Sequence, residues 1–219
     1  MLLALAVAPA RATDSHDYAK GEYAIIRDGL APDKLKSLAS HGDGEGGSEN
    51  FHVWLMAEPA HRRIVALADI GSSNHLDTGP GAYYAFWSPD SRRVAVTFRS
   101  NRHVVELNLY HVEGRRALPI SGPSLFRDVT SRDPGREDDM RRSVPEFAWK
   151  SSRRFLLKEH RLFVTSDPGF VRMVGSYGRV TDKLDNGRFF VEFSAEADCV
   201  LMPNNRYRIV DLRVGKFGE

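Results

Sequence analysis

YYAFWSPDSRRVAVTFRSNRHVVELNLYHVEGRRALPI, residues 83–120, reads as one complete four-stranded antiparallel unit. A first strand opens at residues 85–87, and Ser88-Pro89-Asp90-Ser91 turns it back. Pro89 presets φ at the second position of a type I turn, and the short side chains of Asp90 and Ser91 can bond nearby backbone. Val94, Val96 and Phe98 then alternate with Ala95 and Thr97, the period of a half-buried strand. Ser100-Asn101-Arg102 makes the next turn, residues 104–112 the longest strand, and Glu113-Gly114 leads into a fourth at 117–120.

The same pattern returns on both sides. Downstream, Phe147-Ala148-Trp149-Lys150-Ser151-Ser152-Arg153-Arg154-Phe155 echoes the run from Trp87, with a turn one residue shorter. Trp149 lies 62 positions beyond Trp87, more than the about 40–50 of a usual repeat. Residues 121–142, rich in Ser, Pro, Asp and Arg, account for the excess as a surface insertion, with one helical turn at 137–141. Upstream, residues 51–56 and 64–70 form a hairpin across Glu58-Pro59-Ala60-His61. Residues 29–42 admit two readings. As a helix, Pro32 stands near its start, Leu35, Leu38 and Ala39 share a face, and Gly42 ends it. As the opening of a repeat, Ala31-Pro32-Asp33 matches Ser88-Pro89-Asp90. Near the carboxyl end, residues 162–165 and 171–175 are further strands, Asp185-Asn186-Gly187 is a hairpin turn, residues 189–193 form the strand after it, and residues 199–202 and 207–214 close the chain as a hairpin.

The run Phe86-Trp87-Ser88-Pro89-Asp90-Ser91-Arg92-Arg93-Val94-Ala95-Val96 resembles the W-S-P-D-G-K repeat of the Tol-Pal periplasmic propeller family, with Ser91 in place of the glycine. The resemblance implies architectural roles for Trp87, Pro89, Asp90 and Trp149: tryptophan packed between blades, aspartate tying down the turn. It transfers no catalytic residue. The expected fold is all-β, built of antiparallel four-stranded blade-like sheets as a small or partial β-propeller. A β-sandwich or an open stack of sheets is the alternative, because propellers close with four or more blades.

The totals suit a soluble globular domain: 42% hydrophobic and 27% charged residues can bury a core under a charged surface. A formal charge of +2 is too small to argue for nucleic acid. Residues 1–8 are apolar and Ala10-Arg11-Ala12 has the small-x-small form of a cleavage site, so residues 1–12 are expected to be a signal peptide. Residues 13–22 would then be a flexible amino terminus, and 23–219 a single β domain, periplasmic or secreted. If the leader is not a signal, the chain is cytoplasmic. No stretch is apolar enough to span a membrane.

Chemistry-bearing motifs are sparse. Gly42-Asp43-Gly44-Glu45-Gly46-Gly47 satisfies G-x-G-x-x-G as a string, but lacks the strand-before, helix-after context of a dinucleotide site. Asp43, Glu45, Glu49 and Asn50 offer oxygen ligands suited to Ca²⁺. Cys199 sits in an apolar run, where an inert buried thiol is expected. Trp54, Trp87 and Trp149 would form a carbohydrate platform only if exposed and adjacent; core packing is the plainer role. No cofactor is called for. Four arginine pairs, Arg62-Arg63, Arg92-Arg93, Arg115-Arg116 and Arg153-Arg154, each stand at a hairpin turn. Aligned sheets would gather all eight on one rim and attract an acidic protein or an anionic surface. The functional expectation is a non-enzymatic binding module, oligomeric if the propeller is incomplete. The rival is an enzyme, or accessory domain of a hydrolase, with Asp43, His75 and Asp77 converging from loops.

Overall fold

The computed structural model describes residues 14–71, 75–120, 123–133, 139–184, 186–203 and 205–215; the expected signal peptide, residues 1–12, lies outside them. The chain is all-β, and its strands fall into three meanders. The first comprises β1 (Ala24–Leu30), β2 (Lys36–Asp43), β3 (Glu49–Ala57) and β4 (Arg62–Gly71). The second comprises β5 (Tyr84–Trp87), β6 (Arg93–Asn101), β7 (Val104–Glu113) and β8 (Arg116–Ile120). A short helix, α1 (Leu125–Thr130), leads into β9 (Asp139–Trp149) and β10 (Arg154–Thr165) of the third. Helix α2 (Pro168–Gly175) and β11 (Gly178–Lys183) follow, before β12 (Phe189–Leu201) and β13 (Tyr207–Val214). Strands are antiparallel within each meander. Parallel bridges, Arg27 to Tyr84 and Val104 to Ser143, join one meander to the next. The resulting 13-stranded sheet is therefore mixed rather than purely antiparallel, and it is not closed.

The hydrogen bonds of the turns decide between the two readings of residues 29–42. Ser88 N–H bonds Arg93 O (2.8 Å), and Ser91 N–H bonds Ser88 O (2.9 Å). Ala31 N–H bonds Lys36 O, and Lys34 N–H bonds Ala31 O, both at 2.9 Å. The carboxylate of Asp90 accepts from Arg92 N–H (3.2 Å), and that of Asp33 from Leu35 N–H (2.9 Å). Ser91 and Lys34 both sit at φ 57°, the left-handed region where a glycine would be strain-free. So Leu30-Ala31-Pro32-Asp33-Lys34 is the counterpart of Trp87-Ser88-Pro89-Asp90-Ser91, and the helix reading is wrong. Leu38 and Ala39 blurred the strand period because both faces of β2 are covered, and each is fully buried.

The meanders pack face to face. Val94, Val96 and Phe98 of β6, with Tyr110 and Val112 of β7, share a core with Ile26, Leu38, Phe51, Val53 and Leu55 of the first meander. Ala95, Leu107 and Leu109 point the other way, into a core with Phe147, Phe155, Leu157 and Phe193 of the third. Period-two alternation thus splits β6 and β7 between two cores. Tryptophan marks each junction. Trp87 donates its indole N–H to Gly29 O of β1 (2.9 Å), and Trp149 donates to Phe86 O of β5 (2.7 Å). Each reaches back to the first strand of the preceding meander.

Three further expectations are corrected. Residues 171–175 lie in a helix, because Asp167 caps Gly169 N–H (2.7 Å), Pro168 supplies a preset first-turn φ, and Phe170 and Val174 at i, i+4 are buried. Of the helical turn expected at 137–141, residues 139–141 lie in β9, which begins at Asp139, and residues 137–138 fall outside the described residues; the helix of this segment is α1. Residues 121–142 are not a purely surface insertion, since Leu125 and Phe126 are fully buried.

Candidate functional site

Antiparallel connectivity puts the β1–β2, β3–β4, β5–β6, β7–β8, β9–β10 and β12–β13 turns at one end of the stack. Side chains tie adjacent turns together. Asp33 N–H bonds Ser91 Oγ (3.0 Å), and Arg93 Nη1 donates to Ser152 O (3.0 Å). Between them opens a cleft of about 580 Å³ whose lining includes the cationic Lys36, Arg92, Arg93 and Arg153 and the anionic Asp90 and Glu113. Arg93 is braced by Asp90 (3.4 Å), and Lys36 by Asp33 (3.6 Å). Burial works against ionised Asp90, but hydrogen bonds from Ser88 and Arg92 N–H, with the Arg93 charge, outweigh it and hold the carboxyl below its usual range. Arg153 spends its Nε and Nη2 on Leu201 O (3.2 and 2.9 Å). The guanidinium of Arg92 has no ion-pair partner among the described residues. The cleft therefore carries net positive charge on a rigid, hydrogen-bonded frame.

Of the eight rim arginines, Arg92, Arg93 and Arg153 converge here. Arg62, Arg115, Arg116 and Arg154 are exposed at the same end without lining the cleft. Arg63 does something else: its guanidinium lies 4.7 Å from the Trp54 ring and donates to Tyr23 OH (3.0 Å), on the outward face of the first sheet. Trp54, Trp87 and Trp149 consequently form no shared platform, two being committed to junctions between meanders.

The loops at the opposite end secure the amino-terminal segment. Asp14 O accepts from Thr78 and Gly79 N–H (both 2.8 Å), Asp14 N–H bonds Asp77 (2.7 Å), and Tyr18 OH bonds Ser40 Oγ (2.8 Å). Residues 14–22, expected to be a flexible tail, are thus fixed along the loops. The glycine-rich string serves this contact. Gly46 N–H bonds Asp17 (2.7 Å), and at Gly47, where φ is 65°, a Cβ would lie 2.6 Å from His16 O. The expected calcium set is not assembled. Asn50 bonds Asp43 (3.2 Å), all four side chains are exposed, and no group of three or more His, Cys, Asp or Glu among the described residues is placed to hold a metal. Nor do Asp43, His75 and Asp77 converge. Asp77 is buried against Arg99, and His75 stacks on Phe51 at 4.6 Å. Cys199 is fully buried, and burial, ahead of the nearby Asp128 and Asp198 charges, pushes its thiol up to about 12.

A histidine pin that sequence reading missed holds the entry to β1. His61 Nδ1 faces Glu58 Oε1 (2.8 Å) and its Nε2 faces Tyr23 O (2.7 Å). Both neighbours are acceptors, so both bonds form only with the imidazolium. The hydrogen bond with Glu58, then that with Tyr23 O, raises the pKa of His61. Burial opposes the charge on Glu58, but bonds from Ser37 and His61 lower its pKa on balance. A histidine raised in the folded state adds stability below its unfolded pKa of about 6.5 and loses it as pH rises through the folded value. At 38% side-chain exposure His61 contributes a small term. NMR titration should place its midpoint above about 6.5, and Glu58→Gln should bring it down. A wild-type midpoint at or below that reference would exclude the pin.

Comparison with protein-family models, curated proteins and solved structures finds no match.

Proposed function

We propose that the chain is an exported, propeller-like binding module whose blades are the three meanders, and that it engages an anionic macromolecule through the cleft at the turn end. The supporting observation is the convergence of Lys36, Arg92, Arg93 and Arg153, drawn from three successive meanders, on one cleft where Arg92 has no internal counter-ion among the described residues. Export is supported by the apolar residues 1–8 and the Ala10-Arg11-Ala12 sequence. The loop-built hydrolase reading names Asp43, His75 and Asp77, of which Asp77 pairs with Arg99 and His75 stacks on Phe51.

Heparin serves as the probe. Arg92→Ala with Arg153→Ala should elute from a heparin column at lower salt than wild type. The log–log salt dependence of its binding should flatten by roughly one to two, about one per lost contact. The pair Arg62→Ala with Arg116→Ala, outside the cleft, should change retention less. Equal losses for both pairs would reduce the effect to net charge and remove the cleft from the account.

A further inference from the structure

We propose that the cavity between the amino-terminal segment and the loop end of the second meander binds a free α-amino acid with an apolar side chain. It lies at the opposite end of the stack from the cationic cleft and is independent of it. Its volume, about 340 Å³, is that of a small-ligand site.

Strand register builds one wall. Tyr84 of β5 stands opposite Thr97 of β6, and Arg99, two residues on, stands opposite Val105 of β7. Period two puts these four side chains on one face of the meander. Further along, the same face carries Ala95, Leu107 and Leu109 into the core shared with the third meander. Toward the loops that core gives out, and the cavity opens there. Gly81 and Ala82 edge it before β5, and Asp14 closes it from the amino-terminal segment.

Two charged groups meet at this space without an ionic partner. The Asp14 carboxylate takes no hydrogen bond and joins no ion pair among the described residues; only its backbone is tied, to Asp77, Thr78 and Gly79. The Arg27 guanidinium lies 4.9 Å over the Tyr84 ring and donates Nη1 to its hydroxyl (2.7 Å), with no carboxylate paired to it among the described residues. Both reach the same spot, since a Cβ on Gly81 would stand 3.5 Å from Asp14 Oδ2 and 4.0 Å from Arg27 Nε. Yet they form no ion pair with each other. Arg99 is already engaged, its Nε and Nη2 donated to Asp77.

A molecule carrying an ammonium and a carboxylate on one carbon completes this arrangement. The ammonium meets Asp14, the carboxylate meets the unspent Nε and Nη2 of Arg27, and an apolar side chain lies against Ala82, Val105 and the Tyr84 ring. Asp14 and Asp77 balance Arg27 and Arg99, so the walls suit a zwitterion rather than an anion.

Isothermal titration of the full chain with L-valine, L-leucine and L-phenylalanine should find at least one that binds with a Kd of about 1 mM or tighter. Its N-acetyl derivative lacks the ammonium and its amide lacks the carboxylate. Each should bind about tenfold or more weakly, because each loses a charge-assisted hydrogen bond. Asp14→Asn and Arg27→Gln should show the same loss with unchanged circular dichroism, while Arg154→Ala, exposed at the turn end, should bind as wild type. The derivatives read the same two charges without altering the protein. No binding of any of the three at about 10 mM, or derivatives that bind as tightly as the free amino acid, would overturn the proposal. So would folded Asp14→Asn and Arg27→Gln that bind as wild type.

Discussion

Asp77→Ala should cost about 3 kcal/mol, toward the low end of what breaking a buried ion pair removes, and should release the amino-terminal segment. Asp77 is 1% exposed and receives Arg99 in fork geometry, Nε at 2.7 Å and Nη2 at 2.5 Å. It also accepts Asp14 N–H, while its own carbonyl takes Tyr83 OH (2.6 Å). The hydrogen bond to Asp77, the largest influence on Arg99, raises the pKa of that guanidinium. Deleting the carboxylate orphans one cation and one backbone donor together. Arg99 keeps 32% of its side-chain surface in water, so it can relax outward, and this places the cost low in the usual range. Asp77→Asn retains an acceptor for Asp14 N–H but not the charge, and should lose less. Urea midpoints at constant slope measure both. Proteolysis within residues 14–22 should appear in Asp77→Ala first. A midpoint shift equivalent to under about 1 kcal/mol would mean that the pair is solvent-screened and holds little.

The middle meander was legible in full because every local signal agreed: alternation, turn residues and tryptophan all pointed to the same four strands. The first was half hidden. Leu38 and Ala39 are buried on opposite faces, which erases alternation, and Leu30 stands where a tryptophan would have marked the repeat. Yet Asp33 and Asp90 make the same side-chain bond to the backbone two residues on, and that Pro-Asp pair was the true signal. In the third meander Asp167-Pro168 announced a helix start, but Val171 and Val174 drew the eye to a strand. The site was legible as a set of turns but not as a geometry. Sequence placed eight arginines on one end; only side-chain packing could show that Arg63 turns onto Trp54 while Arg92, Arg93 and Arg153 share a cleft. Contacts between distant loops, such as Asp14 with Asp77, have no local signature at all.

Phe126→Ala should cost about 3–5 kcal/mol and undock α1. The ring is fully buried, 5.1 Å from Phe163, 5.0 Å from Phe193 and 6.0 Å from Phe170. A six-residue helix does not persist on its own propensity, so α1 exists through what it touches. Ser124 caps Arg127 N–H (3.3 Å), and Glu159, itself buried and paired with Arg161, accepts Phe126 N–H at 2.6 Å. Tyr207 OH accepts from Ser124 N–H (3.1 Å) and donates to Asp128. Removing the ring leaves a cavity among three phenylalanines and strips the Arg161–Glu159 pair of its cover, since Arg161 lies 5.4 Å over that ring. Hydrogen exchange reads this directly. In the wild type, amides of residues 126–130 should exchange as slowly as those of β7; in Phe126→Ala they should exchange at rates approaching an open loop, while β6 and β7 stay protected. Fast exchange at 126–130 already in the wild type would make the helix a passenger on the third sheet. Slow exchange retained in the variant would show that Glu159 and Tyr207 hold it without the ring. Only loss confined to the variant makes Phe126 the anchor that converts a Ser- and Arg-rich connection into part of the core.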